Sequence, residues 1–298
     1  MAKAKQKKGK LSVFTCILCG ILILYCIMLL VPWAWGLMSS FKSKWDLRSN
    51  MFGLPKEWMF SNYTVVLSRF TVTVESSGPY PTRAVGILEM SYNSIVYSVG
   101  MSLSGTFVGA VMAYATARYR YKFSAAIYAL VLATMILPLI GSLPSQLQVA
   151  RALNLHDSMV GIFVMKSYFG GMFYLVFYGT FTSVPQDYTD AAEIDGAGQL
   201  TVMLRIIFPF AKSVFFSVFL LNFISYWNDY QTPLLFVPNR PTLAYGLWSF
   251  ANANHNNDIK TVPTQLAGCF MMAIPILLLY LLAQNKMMEN VSMGGLKG

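Results

Sequence analysis

Long apolar runs separated by polar segments dominate the hydrophobic pattern of this chain. A membrane-crossing helix needs about 20 mainly apolar residues, and six runs come near or beyond that length. The pattern therefore predicts an all-α integral membrane protein with six transmembrane helices in a membrane domain over residues 11–283, between short tails at 1–10 and 284–298. The six predicted helices are residues 11–38, 94–117, 123–140, 159–181, 213–236 and 263–283.

Composition supports a bilayer as the solvent. Of 298 residues, 56% are hydrophobic and 11% are charged, and the mean hydropathy is +0.52. Soluble domains carry about 25% charged residues. All four cysteines (Cys16, Cys19, Cys26 and Cys269) fall in the first or last apolar run, so no disulfide framework is expected.

Positive charge is concentrated at the start of the chain. The net charge is +10, and Lys3, Lys5, Lys7, Lys8 and Lys10 precede the first apolar run. This arrangement favours a cytoplasmic tail beside anionic membrane lipids over the alternative, nucleic-acid binding. The first run is much longer than the 7–15 or so residues of a signal peptide core, so it is interpreted as an uncleaved helix.

The short loops predict the orientation in the membrane. Arg118, Arg120 and Lys122 crowd the connection between the second and third runs, whereas the next connection has Arg151 offset by Asp157. Cytoplasmic loops carry the excess of Lys and Arg. Both termini are therefore expected in the cytoplasm. The predicted outer segments are residues 39–93, 141–158 and 237–262, and the predicted inner segment is 182–212.

The inner segment 182–212, called the elbow below, is unusually polar for this chain. Pro185 and Asp187 favour the first turn of a helix. Gly196 is expected to stop or bend that helix, and residues 201–208 resume a helical pattern that Pro209 is expected to end. Four acids lie within nine positions: Asp187, Asp190, Glu193 and Asp195.

The fifth apolar run carries the candidate solute path. An acid in a membrane helix costs at least about 2.5 kcal/mol, so it usually faces a cavity or a partner. Aromatic faces beside amide and carboxylate groups suit sugar rings. In the alternative interpretation, Asp229 has a structural role, as a cap at the end of a helix or in a pair with another side chain. Lys166 in the fourth run is a second charge in the membrane, and its side chain is expected to extend to an interface. The candidates are Asn222, Tyr226, Trp227, Asn228 and Asp229.

Catalytic patterns are absent from the sequence. No G-x-x-x-x-G-K-[ST] occurs, so the chain has no P-loop for ATP hydrolysis. Its two histidines, His156 and His255, lie far from any cysteine cluster, which argues against a zinc site or a catalytic triad. We expect no cofactor bound by this chain and no enzyme activity of its own.

The elbow resembles the EAA loop of ABC-importer permeases, whose pattern is E-A-A, three residues, Gly, nine residues and I-x-L-P. Asp190 stands where the pattern has Glu, and Phe208 stands where it has Leu. Asp195-Gly196-Ala197 is similar to the sugar-permease variant. The matching positions are Asp190, Ala191, Ala192, Gly196, Ile206, Phe208 and Pro209.

Further segments resemble the same family along most of the chain. Residues 61–67 (SNYTVVL) look like its external Asn-Tyr segment, 114–120 (YATARYR) like the end of its second helix, and 227–230 (WNDY) like its fifth. The MalG-type carbohydrate permeases are the most similar subgroup. The resemblance implies a type I ABC-importer permease fold in the bacterial cytoplasmic membrane, translocating a sugar or oligosaccharide.

The resemblance also implies partners. Two cytoplasmic ATP-binding subunits would carry ATP and Mg²⁺, and a second permease subunit would complete a heterodimeric pore. An external solute-binding protein would face the loop that holds Arg240, Tyr245 and Trp248. The acid at Asp190 would pair with a basic residue of the ATPase, either a longer one or in a weaker ion pair, because Asp is one methylene shorter than Glu. The implied ATPase-coupling residues are Asp190, Ala191, Ala192, Glu193, Asp195, Gly196, Ile206 and Pro209.

Two alternatives stay open at this point. The solute could be a glycerol phosphodiester, a polyol or an acidic saccharide. In a different class of protein, a secondary transporter or channel, the elbow would be an incidental connector. Copurification with an ATPase separates that class from the ABC permeases.

Overall fold

A computed structural model describes residues 13–75, 82–119, 121, 123–137, 141–167, 170–252 and 261–293. Several residues used above lie outside these ranges: the Lys-rich start, Arg120, Lys122 and His255. The described chain is mostly helical. The elements, in chain order, are α1 (Val13–Ser40), α2 (Lys44–Ser49), α3 (Ser61–Arg69), β1 (Val72–Glu75), β2 (Thr82–Val85), α4 (Ile87–Arg118), α5 (Ser124–Ile136), α6 (Leu143–Ala152), α7 (Met159–Lys166), α8 (Met172–Ser183), α9 (Asp187–Ile194), α10 (Gln199–Phe210), α11 (Lys212–Trp227), α12 (Gln231–Phe236), α13 (Leu243–Asn252) and α14 (Val262–Met293).

Three described helices are long and apolar enough to cross a membrane: α1, α4 and the Val262–Leu282 part of α14. They correspond to the first, second and sixth predicted helices. The bent pair α10 and α11 makes a fourth if it is counted as one span. The third predicted helix is the shorter α5, so the count of six stays a prediction.

The fourth predicted helix is interrupted, which corrects the continuous helix expected over residues 159–181. Helix α7 ends at Lys166 and α8 begins at Met172. Gly171 precedes α8 with a φ of 89°, a left-handed conformation that favours glycine. Because the run is apolar on both sides of the break, hydropathy alone joins the two helices.

Two further details differ from the sequence prediction. Strands β1 and β2 form an antiparallel pair in which Val72 is opposite Val85, so the chain is not purely helical. The pattern V-T-V-E buries Val72 and Val74 on one face, as expected of β-branched residues on a half-buried strand. Helix α14 also continues past residue 283 to Met293, into the predicted tail.

The chain divides into two compact units, and the first comprises Met1–Leu67 with His255–Phe270. Polar side chains satisfy its loop backbone. The fully buried Lys42 Nζ donates to the carbonyl oxygen of Asn50 at 2.7 Å. Asn62, in the segment that resembles the family's Asn-Tyr motif, donates to the carbonyl oxygens of Ser40 and Lys42. This motif therefore has a structural role in holding the loop after α1.

The second unit, Ser68–Asn254 with Met271–Gly298, has α4 at its centre. Helix α4 packs against α7, α8 and α11. Small residues permit the close approach at one point, since a Cβ on Gly100 would lie 2.2 Å from Phe163 Cζ of α7. A Cβ on Gly109 would meet no atom within 4 Å. Close packing of α4 against α7 therefore requires a glycine at position 100, whereas position 109 has room for a side chain.

Candidate functional site at the elbow and the end of α11

The elbow begins with helix α9, which ends where the sequence predicts. Gly196 adopts a φ of 80°, and its N–H donates to the carbonyl oxygen of Glu193 at 3.0 Å. The N–H of Ala197 donates to the carbonyl oxygen of Ala192 at 2.9 Å. This pair of bonds is the glycine-dependent helix end known as the Schellman motif. The predicted bend at Gly196 is confirmed.

The second helix of the elbow, α10, ends at Phe210, one residue after the predicted stop at Pro209. Its interior, Val202–Ile207, is π-helical, and α-helical geometry resumes at Phe208. Pro209 is thus the next-to-last residue of α10, as expected of a residue that has no backbone N–H and disfavours continuation of a helix. The chain changes direction at Ala211, and α10 and α11 meet at 77°.

One side of the elbow is part of the hydrophobic core of the second unit. Ala192, Val202 and Ile207 are buried in one cluster with residues of α4, α8 and α11, and Ile206 packs against that cluster. Of the two adjacent alanines among the implied coupling residues, only Ala191 is accessible, because the Ala192 methyl group faces inward.

Phe208 occupies the centre of an aromatic group at the junction of these helices. Its ring centroid lies 5.0 Å from Phe215, 5.6 Å from Phe181 and 6.0 Å from Tyr114. Aromatic pairs at such separations attract one another beyond their area burial. The departure from the family's leucine at this position is therefore matched by aromatic neighbours.

The other side of the elbow is open. Asp190 is exposed, and its Oδ1 accepts a hydrogen bond from Gln186 Nε2 at 3.2 Å. The remaining implied coupling residues on this side are also exposed: Ala191, Glu193, Asp195, Gly196 and Pro209. The ion pair found among the described residues joins Arg83 to Glu89, so the elbow carboxylates have no ion-pair partner within the described part of the chain.

Exposed apolar side chains accompany these acids, and the sequence analysis missed them. Ile194 is 86% exposed, Leu200 71% and Phe210 51%. Apolar residues inside a loop predicted to be polar and cytoplasmic were the signal that could have found them. The open side of the elbow thus combines negative charge with apolar surface, a combination suited to a protein partner.

At the other end of α11, Asp229 has two structural partners. Its Oδ2 accepts a hydrogen bond from the Tyr97 hydroxyl at 2.9 Å, and its Oδ1 accepts one from the Thr232 N–H at 3.0 Å. The second bond caps the start of α12. The geometry thus agrees with the alternative interpretation of Asp229, while its role in the solute path stays a prediction.

The other path candidates separate into packed and open residues. Trp227 is buried, and its Nε1 donates to the carbonyl oxygen of Met272. Asn222 Nδ2 donates to Thr106 Oγ1 of α4 at 3.1 Å. Tyr226 is half-buried with its ring against Tyr97, and Asn228 is exposed. Asn228 is therefore the most accessible of the five.

Lys166 finds its partners inside the second unit. Its Nζ donates to Gln146 Oε1 of α6, and the ammonium lies 4.6 Å from the centroid of the Phe236 ring. A polar amide and an aromatic face both stabilise a cation that is removed from water. These contacts account for Lys166 without the extension to an interface that the sequence suggested.

The residues of the predicted outer loop are not equivalent in exposure. Arg240 is exposed, whereas Tyr245 is half-buried and burial raises the pKa of its hydroxyl. The Trp248 ring stacks on Tyr230 with centroids 5.7 Å apart and planes 9° apart. Trp248 thereby connects this loop to the polar end of α11.

The long apolar helices, the interrupted α7 and α8 and the elbow with its exposed acidic side describe a helical membrane protein. Residues 105–285 match the family described as binding-protein-dependent transport system inner membrane components, and the chain belongs to that family. The resemblance to ABC-importer permeases is thereby confirmed, and the chain is a transport subunit.

Relatives extend the match over most of the chain. It is 29% identical to the diacetylchitobiose uptake system permease protein NgcG of Streptomyces coelicolor, covering 94% of this chain and 88% of that protein. It is 25% identical to the melibiose/raffinose/stachyose import permease protein MelC of Bacillus subtilis, covering 76% and 89%.

A solved structure shows the same fold. One chain in the crystal structure of a bacterial ABC transporter involved in the import of the acidic polysaccharide alginate superposes with a TM-score of 0.74. The match covers 92% of this chain and 96% of that chain at 21% sequence identity. The ABC-importer permease fold expected from the elbow is therefore present.

Proposed function

We propose that this chain forms one half of the transmembrane pore of an ATP-driven importer for a sugar or oligosaccharide. The observation that carries the proposal is the two-sided elbow, which is exposed and acidic on one side and built into the core of α4, α8 and α11 on the other. The saccharide class is supported by relatives named for the uptake of diacetylchitobiose and of melibiose, raffinose and stachyose.

The open side of the elbow suits docking onto a separate cytoplasmic ATP-binding subunit. Asp190 has one hydrogen bond, from a neighbouring glutamine, and remains free to pair with a basic side chain of the partner. Ala191 permits close approach, and the apolar Ile194 and Leu200 add area that becomes buried on docking. ATP and Mg²⁺ are expected on two such subunits and not on this chain.

The buried side of the elbow suits transmission of movement. Ala192, Val202 and Ile207 share a core with Tyr114 of α4 and Phe181 of α8. Packed interiors transmit displacement rather than absorb it. Closure of the ATP-binding subunits would therefore move these helices together and switch the pore between outward and inward access.

The remaining parts of the importer follow from this assignment. The pore comprises six membrane helices from this chain and those of a second permease subunit, with both termini of this chain in the cytoplasm. An external solute-binding protein delivers the solute to the side that holds Arg240 and Trp248. The solute path passes the polar end of α11, where Asn228 is the accessible candidate.

Purification of the tagged chain from its native membrane tests the proposal. We expect an ATP-binding subunit and a second permease to copurify. In nanodiscs, the complex with its solute-binding protein should hydrolyse ATP faster when a transported oligosaccharide is added. A purified chain that moves solute without any associated ATPase would overturn the assignment in favour of a secondary transporter.

A further inference from the structure

We propose that Arg118 is a positioning residue that holds the elbow against the end of α4. Arg118 is the last residue of α4, and its guanidinium spans the start of the elbow. One terminal nitrogen donates to the carbonyl oxygen of Val184 at 2.7 Å. The other donates to Thr189 Oγ1 at 2.6 Å and to the carbonyl oxygen of Pro185 at 3.4 Å.

These contacts join three elements through one side chain. Val184 follows the last residue of α8, where carbonyl groups lack helical partners and favour a cation. Thr189 lies in α9 and is buried. Arg118 therefore fixes the distance and angle between the ends of α4 and α8 and the helix that carries Asp190.

The geometry requires arginine rather than positive charge alone. The guanidinium is planar and places its donors in a rigid fork, whereas a lysine ammonium is a compact point charge on a flexible stem. A lysine at position 118 keeps the charge but loses the simultaneous contacts with Val184 and Thr189. If Arg118 served only to set the orientation of the chain in the membrane through its positive charge, Arg118→Lys would have no effect.

The consequence for transport rests on the proposed function of the elbow. If the elbow is the point where the ATPase acts, its position must be set before force reaches the membrane helices. Loss of the Arg118 contacts would let α9 shift relative to α4, so ATP hydrolysis would respond less to solute. The contacts themselves are a property of this chain and can be measured apart from transport.

The experiment uses the full complex in nanodiscs with its solute-binding protein. The variants are Arg118→Lys, Arg118→Ala, Thr189→Val and the double variant Arg118→Ala/Thr189→Val. Arg151→Ala is the matched control, because it removes an exposed arginine from the last turn of a different helix, α6. The readouts are hydrogen–deuterium exchange of residues 184–196 and the ratio of solute-stimulated to basal ATP hydrolysis.

We expect Arg118→Ala to accelerate exchange in residues 184–196 about tenfold, as for loss of hydrogen bonds to a charged group, and to lower the stimulation ratio. Arg118→Lys should show most of this effect, and Thr189→Val a smaller part. The double variant should show the same exchange rate and stimulation ratio as Arg118→Ala. The reason is that Arg118→Ala already removes the Arg118–Thr189 hydrogen bond, so Thr189→Val has nothing further to remove. Arg151→Ala should match the wild type in both readouts.

Wild-type exchange and stimulation in Arg118→Lys would overturn the positioning role. If Arg118→Ala does not yield a folded complex, Arg118→Lys and Thr189→Val decide the matter, because each makes a milder change. If the wild-type chain carries no ATPase, the proposed function fails, while the exchange data still show whether Arg118 holds the elbow.

Discussion

Single residues show what a sequence pattern can and cannot specify about this site. The capping interpretation of Asp229 was available from its position near a helix end, and the contacts with Tyr97 and Thr232 agree with it. The inward direction of Ala192 was not available, because two adjacent alanines look alike until the rotation of α9 is known. The aromatic neighbours of Phe208 come from three separate helices, so no local pattern reveals them.

Substitution of Asp229 separates capping from solute contact. In Asp229→Asn, the amide oxygen still accepts from the Thr232 N–H, and the amide nitrogen can donate to the Tyr97 hydroxyl. We expect near wild-type thermal stability. Asp229→Ala loses both bonds and should destabilise the permease by about 1–3 kcal/mol, measured as a lower midpoint of thermal unfolding.

Uptake by the stable Asp229→Asn variant then reports on the carboxylate charge. Wild-type uptake means that the charge is dispensable and the residue acts as a cap. Lost uptake in a protein of normal stability means that the solute path needs the negative charge.

At the scale of elements, the end of a helix was predictable from the sequence where neighbouring residues determine it, and was not predictable where the tertiary fold does. The end of α9 was predictable, because a glycine that follows a short amphipathic helix supplies the left-handed residue locally. The break between α7 and α8 and the pairing of β1 with β2 were missed. In both segments, the hydropathy pattern does not distinguish the observed structure from the one that was predicted.

Backbone conformation at Gly196 yields a matched set of elbow variants. A Cβ there would meet no atom within 4 Å, so the cost of a side chain comes from the φ of 80°. Gly196→Val should therefore insert normally but lose solute-stimulated ATP hydrolysis, because β-branched residues avoid this region. Gly196→Asn should keep most of it, since asparagine tolerates the left-handed conformation.

Gly198→Ala is the control for this set. Its Cβ position is also open, and its φ is −69°, so we expect wild-type stimulation. Equal activity of Gly196→Val and Gly198→Ala would contradict the requirement for a fixed bend in the elbow.

Packing between α4 and α7 gives a second test at this scale. Gly100→Ala forces its methyl group against the Phe163 ring, whereas Gly109→Ala adds one to open space. Overpacking of this kind costs about 1–3 kcal/mol, so Gly100→Ala should lower the thermal midpoint. Gly109→Ala should leave it unchanged, and equal loss in both variants would contradict the contact.

For the whole molecule, the family was predictable because the EAA-like spacing combines several residue types at fixed separations after an apolar helix. Family membership is confirmed by the match over residues 105–285. The number of membrane crossings was less accessible, because α5 is short and the fourth predicted helix is interrupted. Orientation stays a prediction that depends on loop charge.

Cysteine labelling of intact cells measures that orientation. After replacement of Cys16, Cys19, Cys26 and Cys269 by serine, single cysteines are introduced as Asp190→Cys and Arg240→Cys, both at exposed positions. A membrane-impermeant maleimide should label Arg240→Cys directly and Asp190→Cys only after permeabilisation. The reverse pattern would place the elbow outside the cell and rule out docking to a cytoplasmic ATPase.

If the elbow docks onto a partner subunit as proposed, the 77° turn at Ala211 determines how α11 responds to a movement of the elbow. A displacement along α10 acts on α11 almost at right angles to the axis of α11. Helix α11 then changes its tilt and does not translate along its own axis. A change in tilt costs little free energy in a bilayer, because it alters the hydrophobic mismatch gradually. Translation along the helix axis costs more, because it moves the polar ends of the helix into the hydrocarbon.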